Sequence, residues 1–332
     1  MRPLELKNTL QSLIDSKIPT FIWGSPGIGK SSIIKQIAKE KNLEFIDLRL
    51  SLLDPTDLKG IPFFNSSSNE AVWAQPNFLP KDDSASGVLF LDEINSAPPS
   101  VQAAAYQLVL DRKIGDYILP DNWAIVAAGN LETDRAVVYK MPSPLANRFI
   151  HLTLDISFND WKSWAYNNSI DSTIIAFLNN KQEYLFNFDA TKNEKAFATP
   201  RSWEYVDSIL KANISANTLL ETIQGAIGTD IAIEFINFKK VITKLPNIDD
   251  ILNAKKVELT DDSEVLFALI SALVSRVKKS TKEQVDNAIR FSLKLPSEFS
   301  VMFIKDMQQA NITIEECAAW EDWVEKFAYL LE

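Results

Sequence analysis

The run Gly24-Ser25-Pro26-Gly27-Ile28-Gly29-Lys30-Ser31 constrains the fold of this chain more than any other stretch. It satisfies every fixed position of the pattern G-x-x-x-x-G-K-[ST]. An apolar run, Ile18 to Trp23, precedes it, broken only by Pro19 and Thr20, and a helix-like segment, Ser31 to Lys41, follows. Strand, glycine loop and helix in that order are the setting in which a backbone wraps a phosphate with its N–H groups. Side chains at the glycines would block that approach. The helix N-terminus adds partial positive charge where the phosphates would sit. On this reading Gly24, Ser25, Pro26, Gly27, Ile28, Gly29, Lys30, Ser31 and Ser32 form the cradle. Lys30 would reach the β- and γ-phosphates, and the Ser31 hydroxyl would ligate Mg²⁺. The alternative is a glycine-rich turn and nothing more.

About sixty residues on, Gly87-Val88-Leu89-Phe90-Leu91-Asp92-Glu93 runs from apolar side chains into a pair of carboxylates. An uninterrupted apolar run reads as a strand buried on both faces of a parallel sheet. Its acids emerge at the C-terminal end, where open α/β sheets bind ligands. Asp92 would hold the magnesium ion or its water shell. Glu93 would polarise a water for attack on the γ-phosphate. An acidic strand end that only caps the next helix is the competing explanation.

The chain has 332 residues, 46% of them hydrophobic, enough for a nucleotide-binding domain and a second domain. Its net charge of −10 speaks against general binding to nucleic acid. Cys317 is the lone cysteine, so neither an internal disulfide nor a cysteine metal site can form, and a buried bystander thiol is expected. His151 is the lone histidine, and a structural role is expected of it. With no apolar run of eighteen residues and no signal-like N-terminus, a cytoplasmic protein without a membrane span is expected.

Strand-like runs at Thr20–Trp23, Glu44–Leu48, Val88–Leu91, Ala124–Ala128 and Phe149–Leu154 alternate with helix-like runs at Ser31–Lys41, Pro99–Leu110 and Pro144–Asn147. Such alternation predicts a parallel sheet covered by helices. After Asp160 helix periods dominate: Trp203–Leu210, Thr218–Ile227, Ile231–Ile242, Ser263–Val277, Thr281–Leu293 and Ile314–Leu331. The C-terminal aromatics Trp320, Trp323, Phe327 and Tyr329 suggest one apolar face, with core packing favoured over a partner groove.

Further polar groups fall in an informative order. Asn130 tips the apolar run Ala124–Gly129 and could orient the attacking water, or only cap a turn. Arg148 stands just before the last strand and could act on the nucleotide of a neighbouring subunit. Arg201 follows Thr199-Pro200 at a helix start, from which a guanidinium could reach the γ-phosphate of its own subunit. Ordinary surface ion pairs would explain either arginine as well.

Taken together, these segments resemble an AAA+ ATPase of the MoxR type, with the likeness covering residues 15 to about 255. Gly24–Ser31 resembles the Walker A segment and Val88–Glu93 the Walker B segment. Asn130 matches sensor 1, Arg148 in Ala146-Asn147-Arg148-Phe149 the arginine finger, and Arg201 in Ala198-Thr199-Pro200-Arg201 sensor 2. Asp47–Ser51 with Asp54–Pro62 resembles the entry to the helix-2 insertion, and Arg112–Pro120 the hairpin before sensor 1. Gly225–Gly228 with Glu234-Phe235 is similar to the lid of that group. Arg135, after sensor 1, is a second arginine that could act in trans, and the sequence does not decide between it and Arg148.

The fold class implied is α/β: a P-loop AAA+ parallel sheet sandwiched by helices, followed by an all-α lid and a C-terminal helical region. The expected domains are 1–157 for the α/β part, with an insertion at 54–80 and a hairpin at 112–122, then 158–257 for the lid and 258–332 for the extension. The resemblance implies Mg-dependent ATP hydrolysis in a homo-oligomer, a hexameric ring, which remodels a protein client with a von Willebrand factor A domain protein as possible partner. A nucleic-acid motor and a slow nucleotide-switched scaffold are the alternatives. Leu58, Ile61, Phe63, Phe64, Val72, Trp73 and Phe78 of the insertion would either grip a partner or pack back as a hairpin.

Overall fold

Strands that are apolar along their whole length can be satisfied only between neighbours and beneath helices, and the first part of the chain is built that way. The computed structural model describes residues 1–67, 69–134, 139–192, 194–212 and 214–330. It divides into two units, Met1–Ser157 with Asp189–Lys192, and Phe158–Phe188 with Asn193–Glu332.

The strands of the first unit are β1 (Thr20–Trp23), β2 (Glu44–Arg49), β3 (Ile61–Asn65), β4 (Glu70–Ala74), β5 (Gly87–Asp92), β6 (Lys113–Ile114), β7 (Tyr117–Ile118), β8 (Trp123–Gly129) and β9 (Ile150–Thr153). Its helices are α1 (Pro3–Asp15), α2 (Lys30–Glu40), α3 (Pro55–Lys59), α4 (Pro99–Asp111) and α5 (Ser143–Ala146). Strands β2-β5-β8-β1-β9 form one sheet in that order, and every pair is parallel. The inner strands β5 and β8 are buried nearly throughout, whereas the edge strands β2 and β9 are mostly exposed or half-buried.

Side chains alternate across the sheet. Phe21, Leu89, Leu91, Ile125 and Ala127 share a core with Val101, Ala105 and Leu108 of α4. Ile22, Val88, Phe90 and Val126 point the other way, toward the layer of α1 and α2, whose Leu6, Leu10, Ile34 and Ile37 are buried. Because β1 leads to β2 across two intervening strands, the chain reverses its winding direction beside β1. In open α/β sheets, ligands bind at the C-terminal strand ends beside such a reversal.

A β3–β4 hairpin occupies the insertion, pairing Ile61 with Ala74 and Asn65 with Glu70. Leu58, on α3 just before it, is fully buried in the core shared with α4, and Phe78 packs against that core. Ile61, Phe63, Phe64 and Val72 instead face solvent. Strands β6 and β7 make a second small hairpin.

The second unit is helical: α6 (Phe158–Asn167), α7 (Ser172–Asn180), α8 (Pro200–Lys211), α9 (Ala216–Ile227), α10 (Thr229–Lys239), α11 (Ile248–Leu252), α12 (Ser263–Val277), α13 (Lys282–Ser292), α14 (Ser297–Gln309) and α15 (Ala318–Phe327). One apolar core runs from Trp161 to Phe327, so the segments 158–257 and 258–332 pack as a single body. At its centre the Lys162 ammonium meets the Asp306 carboxylate at 2.6 Å, with Tyr166 and Asn179 also donating to Asp306. Trp323 and Phe327 are core residues, Trp320 stacks on Trp323, and Tyr329 is exposed. Cys317 is buried, and burial pushes its thiol up. Among the described residues no helix is long and apolar enough to cross a membrane.

Candidate active site

The glycine loop leaves β1 at Gly24, whose N–H donates to the Gly129 carbonyl at 3.3 Å. Gly29 has φ +102°, and no atom lies within 4 Å of the place a side-chain methyl would take, so backbone conformation rather than space demands glycine there. It forms the N-cap of α2, and no side chain caps this helix. The first N–H groups of α2 therefore face the loop, where they and the helix dipole suit an anion. Ile28 is buried and anchors the loop, while Ser25, Pro26, Gly27, Lys30 and Ser31 are part-exposed around it and Ser32 is exposed.

Lys30 spans the mouth of the loop. Its Nζ donates to the carbonyls of Gly24 at 2.5 Å and Ser25 at 3.0 Å, and to Asn130 Oδ1 at 3.1 Å. An ammonium can only donate, so the Asn130 amide turns its oxygen to Lys30. The ends of β1 and β8 are thereby joined through side chains. The Asn130 carbonyl accepts from Asn95 Nδ2 at 2.8 Å. Asn95 is almost wholly buried, and its Oδ1 has no partner among the described residues.

Asp92 ends β5 and Glu93 follows with φ +57°, a left-handed conformation uncommon outside glycine and often found at functional sites. The Glu93 N–H donates to Asp92 Oδ1 at 2.9 Å, and the Ser51 hydroxyl donates to the Glu93 carboxylate. Burial holds the Asp92 carboxyl above its ordinary value. The nearby Asp47 adds to this, while the Glu93 N–H and the Lys30 ammonium oppose it. Asp47, on the neighbouring strand β2, is also raised, by burial first. A second link ties the loop to the segment after β8: Ser25 Oγ donates to Asp134 Oδ1 at 3.1 Å.

Arg148 lies just after α5 on an exposed turn, and among the described residues its guanidinium has no ion-pair or hydrogen-bond partner. Arg201 is in the helical unit, exposed in the first turn of α8, where the Thr199 hydroxyl accepts from the Ser202 N–H. Arg135 lies outside the described residues. The structure thus brings together Gly24–Ser31, Asn130, Asp92 and Glu93 along the strand ends. It adds Ser51, Asn95, Asp47 and Asp134, which sequence reasoning did not assign. No sequence signal marks these four, because each acts through a neighbour distant in the chain.

The donors fit a hard divalent cation. Ser31 and Asp92 offer oxygen only, and Asp92 carries a charge that its surroundings disfavour. Among the described residues no cluster of three or more acidic, histidine or cysteine side chains could hold a metal alone. That pattern suits Mg²⁺, which is commonly held by one or two protein oxygens together with substrate phosphates.

Residues 20–151 match the family described as "ATPase family associated with various cellular activities (AAA)". The "Pathogenicity locus probable regulatory protein WtsA" of Pantoea stewartii is 27% identical over 141 residues, 38% of this chain and 42% of that protein. The match therefore spans less than half the length of that curated relative. Among solved structures, a point mutant of Thermotoga maritima RuvB is 18% identical with a TM-score of 0.39, covering 82% of this chain and 80% of that one. NtrX of Brucella abortus is 13% identical with a TM-score of 0.42, covering 91% and 67%.

Proposed function

We propose that this chain, whose residues 20–151 match the AAA family of ATPases, hydrolyses Mg·ATP in a ring of identical subunits and uses the cycle to remodel a protein partner. One observation carries the ring reading: Arg148 projects from an exposed turn with no partner in its own chain among the described residues. A cation so placed suits the nucleotide of an adjacent copy. In nucleotide hydrolases a supplied arginine is worth about 10³–10⁵ in rate.

The chain's own groups divide the work. The N–H groups of the loop and of the α2 start bind the β- and γ-phosphates, with Lys30 as the fixed positive charge. Ser31 and Asp92 would hold the magnesium ion, which would neutralise phosphate charge. Glu93 accepts the proton of the attacking water, and Asn130 orients that water. Arg201 reads the γ-phosphate from the helical unit. Arg148 completes the site in trans, and Arg135 is the competing candidate for that role.

The solvent-facing Ile61, Phe63, Phe64 and Val72 of the β3–β4 hairpin give a partner an apolar surface to grip. The resemblance to MoxR proteins suggests a hexamer, and a von Willebrand factor A domain as partner. The test is subunit mixing. Glu93→Gln and Arg148→Ala should each bind ATP and turn it over at least a hundredfold more slowly than wild type. Mixed, they should regain turnover, because some interfaces then join an intact Glu93 to an intact Arg148. Failure of every mixing ratio to restore turnover rules out action of Arg148 in trans.

A further inference from the structure

His151 takes no part in the chemistry described above, yet both of its ring nitrogens are engaged. Trp23 Nε1 lies 2.9 Å from Nδ1, and Nε2 lies 2.8 Å from the carbonyl oxygen of Ala146. An indole N–H can only donate and a carbonyl can only accept. Nδ1 must therefore present a lone pair and Nε2 must carry the proton, which defines the neutral Nε2–H tautomer. The ring also stacks near Trp23, at 6.0 Å and 23°, and lies 5.6 Å from Phe21.

The two ends of this bridge are informative. Trp23 is the last residue of β1, so the next residue, Gly24, begins the phosphate loop. Ala146 is the last residue of α5, and Asn147 and Arg148 follow. His151 is on the edge strand β9, in register with Phe21 of β1. One imidazole thus ties the strand that feeds the phosphate loop to the turn that carries Arg148.

We propose that His151 is a positioning residue for ATP hydrolysis: its neutral ring holds the Arg148 turn against the phosphate-loop strand, and protonation at Nδ1 releases it. This rests on the reading of Arg148 given above. Protonated, the ring would set a second N–H against the indole N–H, and the Trp23 bond could not survive. Strand β1 and helix α5 carry no charged side chain. Among the described residues, the charged groups flanking these elements are Lys17 before β1, Arg148 after α5 and the Met1 ammonium paired with Asp155 beyond the end of β9. None of them is a hydrogen-bond partner of the ring, whose partners are Trp23 and Ala146.

The experiment measures kcat and KM for ATP against pH, between about pH 5 and 8. The proteins are wild type, His151→Phe, Trp23→Phe, Arg148→Ala and the double variant His151→Phe/Arg148→Ala. Phe at 151 keeps an aromatic ring and removes both hydrogen bonds. Wild-type kcat should fall toward acid with KM unchanged. His151→Phe should lower kcat about tenfold at alkaline pH, since misplacement by about 1 Å can cost on the order of a hundredfold. It should also lose the acid limb. Trp23→Phe removes the same bond from the other side, so it should also lose the limb, which keeps the test decisive if one variant folds poorly. The double variant should be no slower than Arg148→Ala. A His151→Phe enzyme with wild-type kcat and profile, beside an impaired Arg148→Ala, overturns this proposal alone. Full turnover by Arg148→Ala overturns the reading of Arg148, and with it the route by which His151 acts.

Discussion

Gly129 is the position at which one added methyl group should disturb the site most directly. Its φ lies outside the left-handed region, so alanine is free to adopt the backbone and any effect is steric. The new Cβ would fall against Asn95 Oδ1, and within 2.7 Å of both Asn95 Cγ and Phe21 Cζ. Phe21 is fully buried and Asn95 nearly so, which leaves little room for either to retreat. Overpacking of this kind costs about 1–3 kcal/mol. Pushing Asn95 aside also breaks its 2.8 Å bond to the Asn130 carbonyl, worth about 1 kcal/mol. Gly129→Ala is therefore expected to lose about 2–4 kcal/mol in chemical unfolding followed by tryptophan fluorescence. Because Asn130 receives the Lys30 ammonium at 3.1 Å, turnover should fall at least tenfold while ATP binding persists. Asn95→Ala should be milder by itself. The double variant should be less than additive by about 1 kcal/mol or more, because removing the amide relieves the clash. Stability within about 0.5 kcal/mol of wild type, or strict additivity in the double variant, would refute this account of the Gly129–Asn95–Asn130 contact.

In the helical unit, Asp306→Ala strands the buried Lys162 ammonium and should cost about 3–5 kcal/mol in urea unfolding, whereas Lys162→Met/Asp306→Leu should cost distinctly less. A double variant as unstable as the single one would show that the charge pair is not what the core depends on. In the sheet unit, Asp92→Asn should raise the thermal unfolding midpoint at neutral pH while abolishing turnover. The Asp92 carboxyl titrates above its ordinary 3.8 through burial and the nearby Asp47, so its charge costs stability at any pH above that raised value. The gain should shrink as pH falls through the raised value and vanish below 3.8, where the carboxyl is neutral folded or unfolded. A midpoint at neutral pH equal to or below that of wild type would contradict it.

What could be read from sequence and what could not divide along a physical line. The runs Val88–Leu91 and Ala124–Ala128 were legible as inner strands because a strand buried on both faces must be apolar without interruption, and β5 and β8 are buried in that way. The glycine loop was legible because its chemistry is local: φ +102° at Gly29 and the uncapped α2 start both follow from neighbouring residues. Helices α6, α7 and α14 gave no comparable signal. In α7, Ser172–Asn180, burial runs from Thr173 through Asn179, so there is no polar face against which a 3.6-residue period could stand out. The apolar residues of the 54–80 insertion looked alike in sequence, yet Leu58 is buried and Phe64 exposed. Leu58 stands on α3 and Phe64 on β3, whose five residues are all exposed, and an apolar side chain alone does not say whether the element that carries it will find a neighbour. The same limit governs the site. Ser51, Asn95, Asp134 and His151 are ordinary residues in sequence, and each gains its role from one partner 35 to 128 positions away, with Ser51 on Glu93, Asn95 on Asn130, Asp134 on Ser25 and His151 on Trp23. Residues that contact a phosphate must have particular types at fixed spacing. Residues that hold those residues in place need only the right partner in space, so substitution of the supporting group, His151 and Asn95 above all, is where structure-based expectation exceeds anything a motif provides.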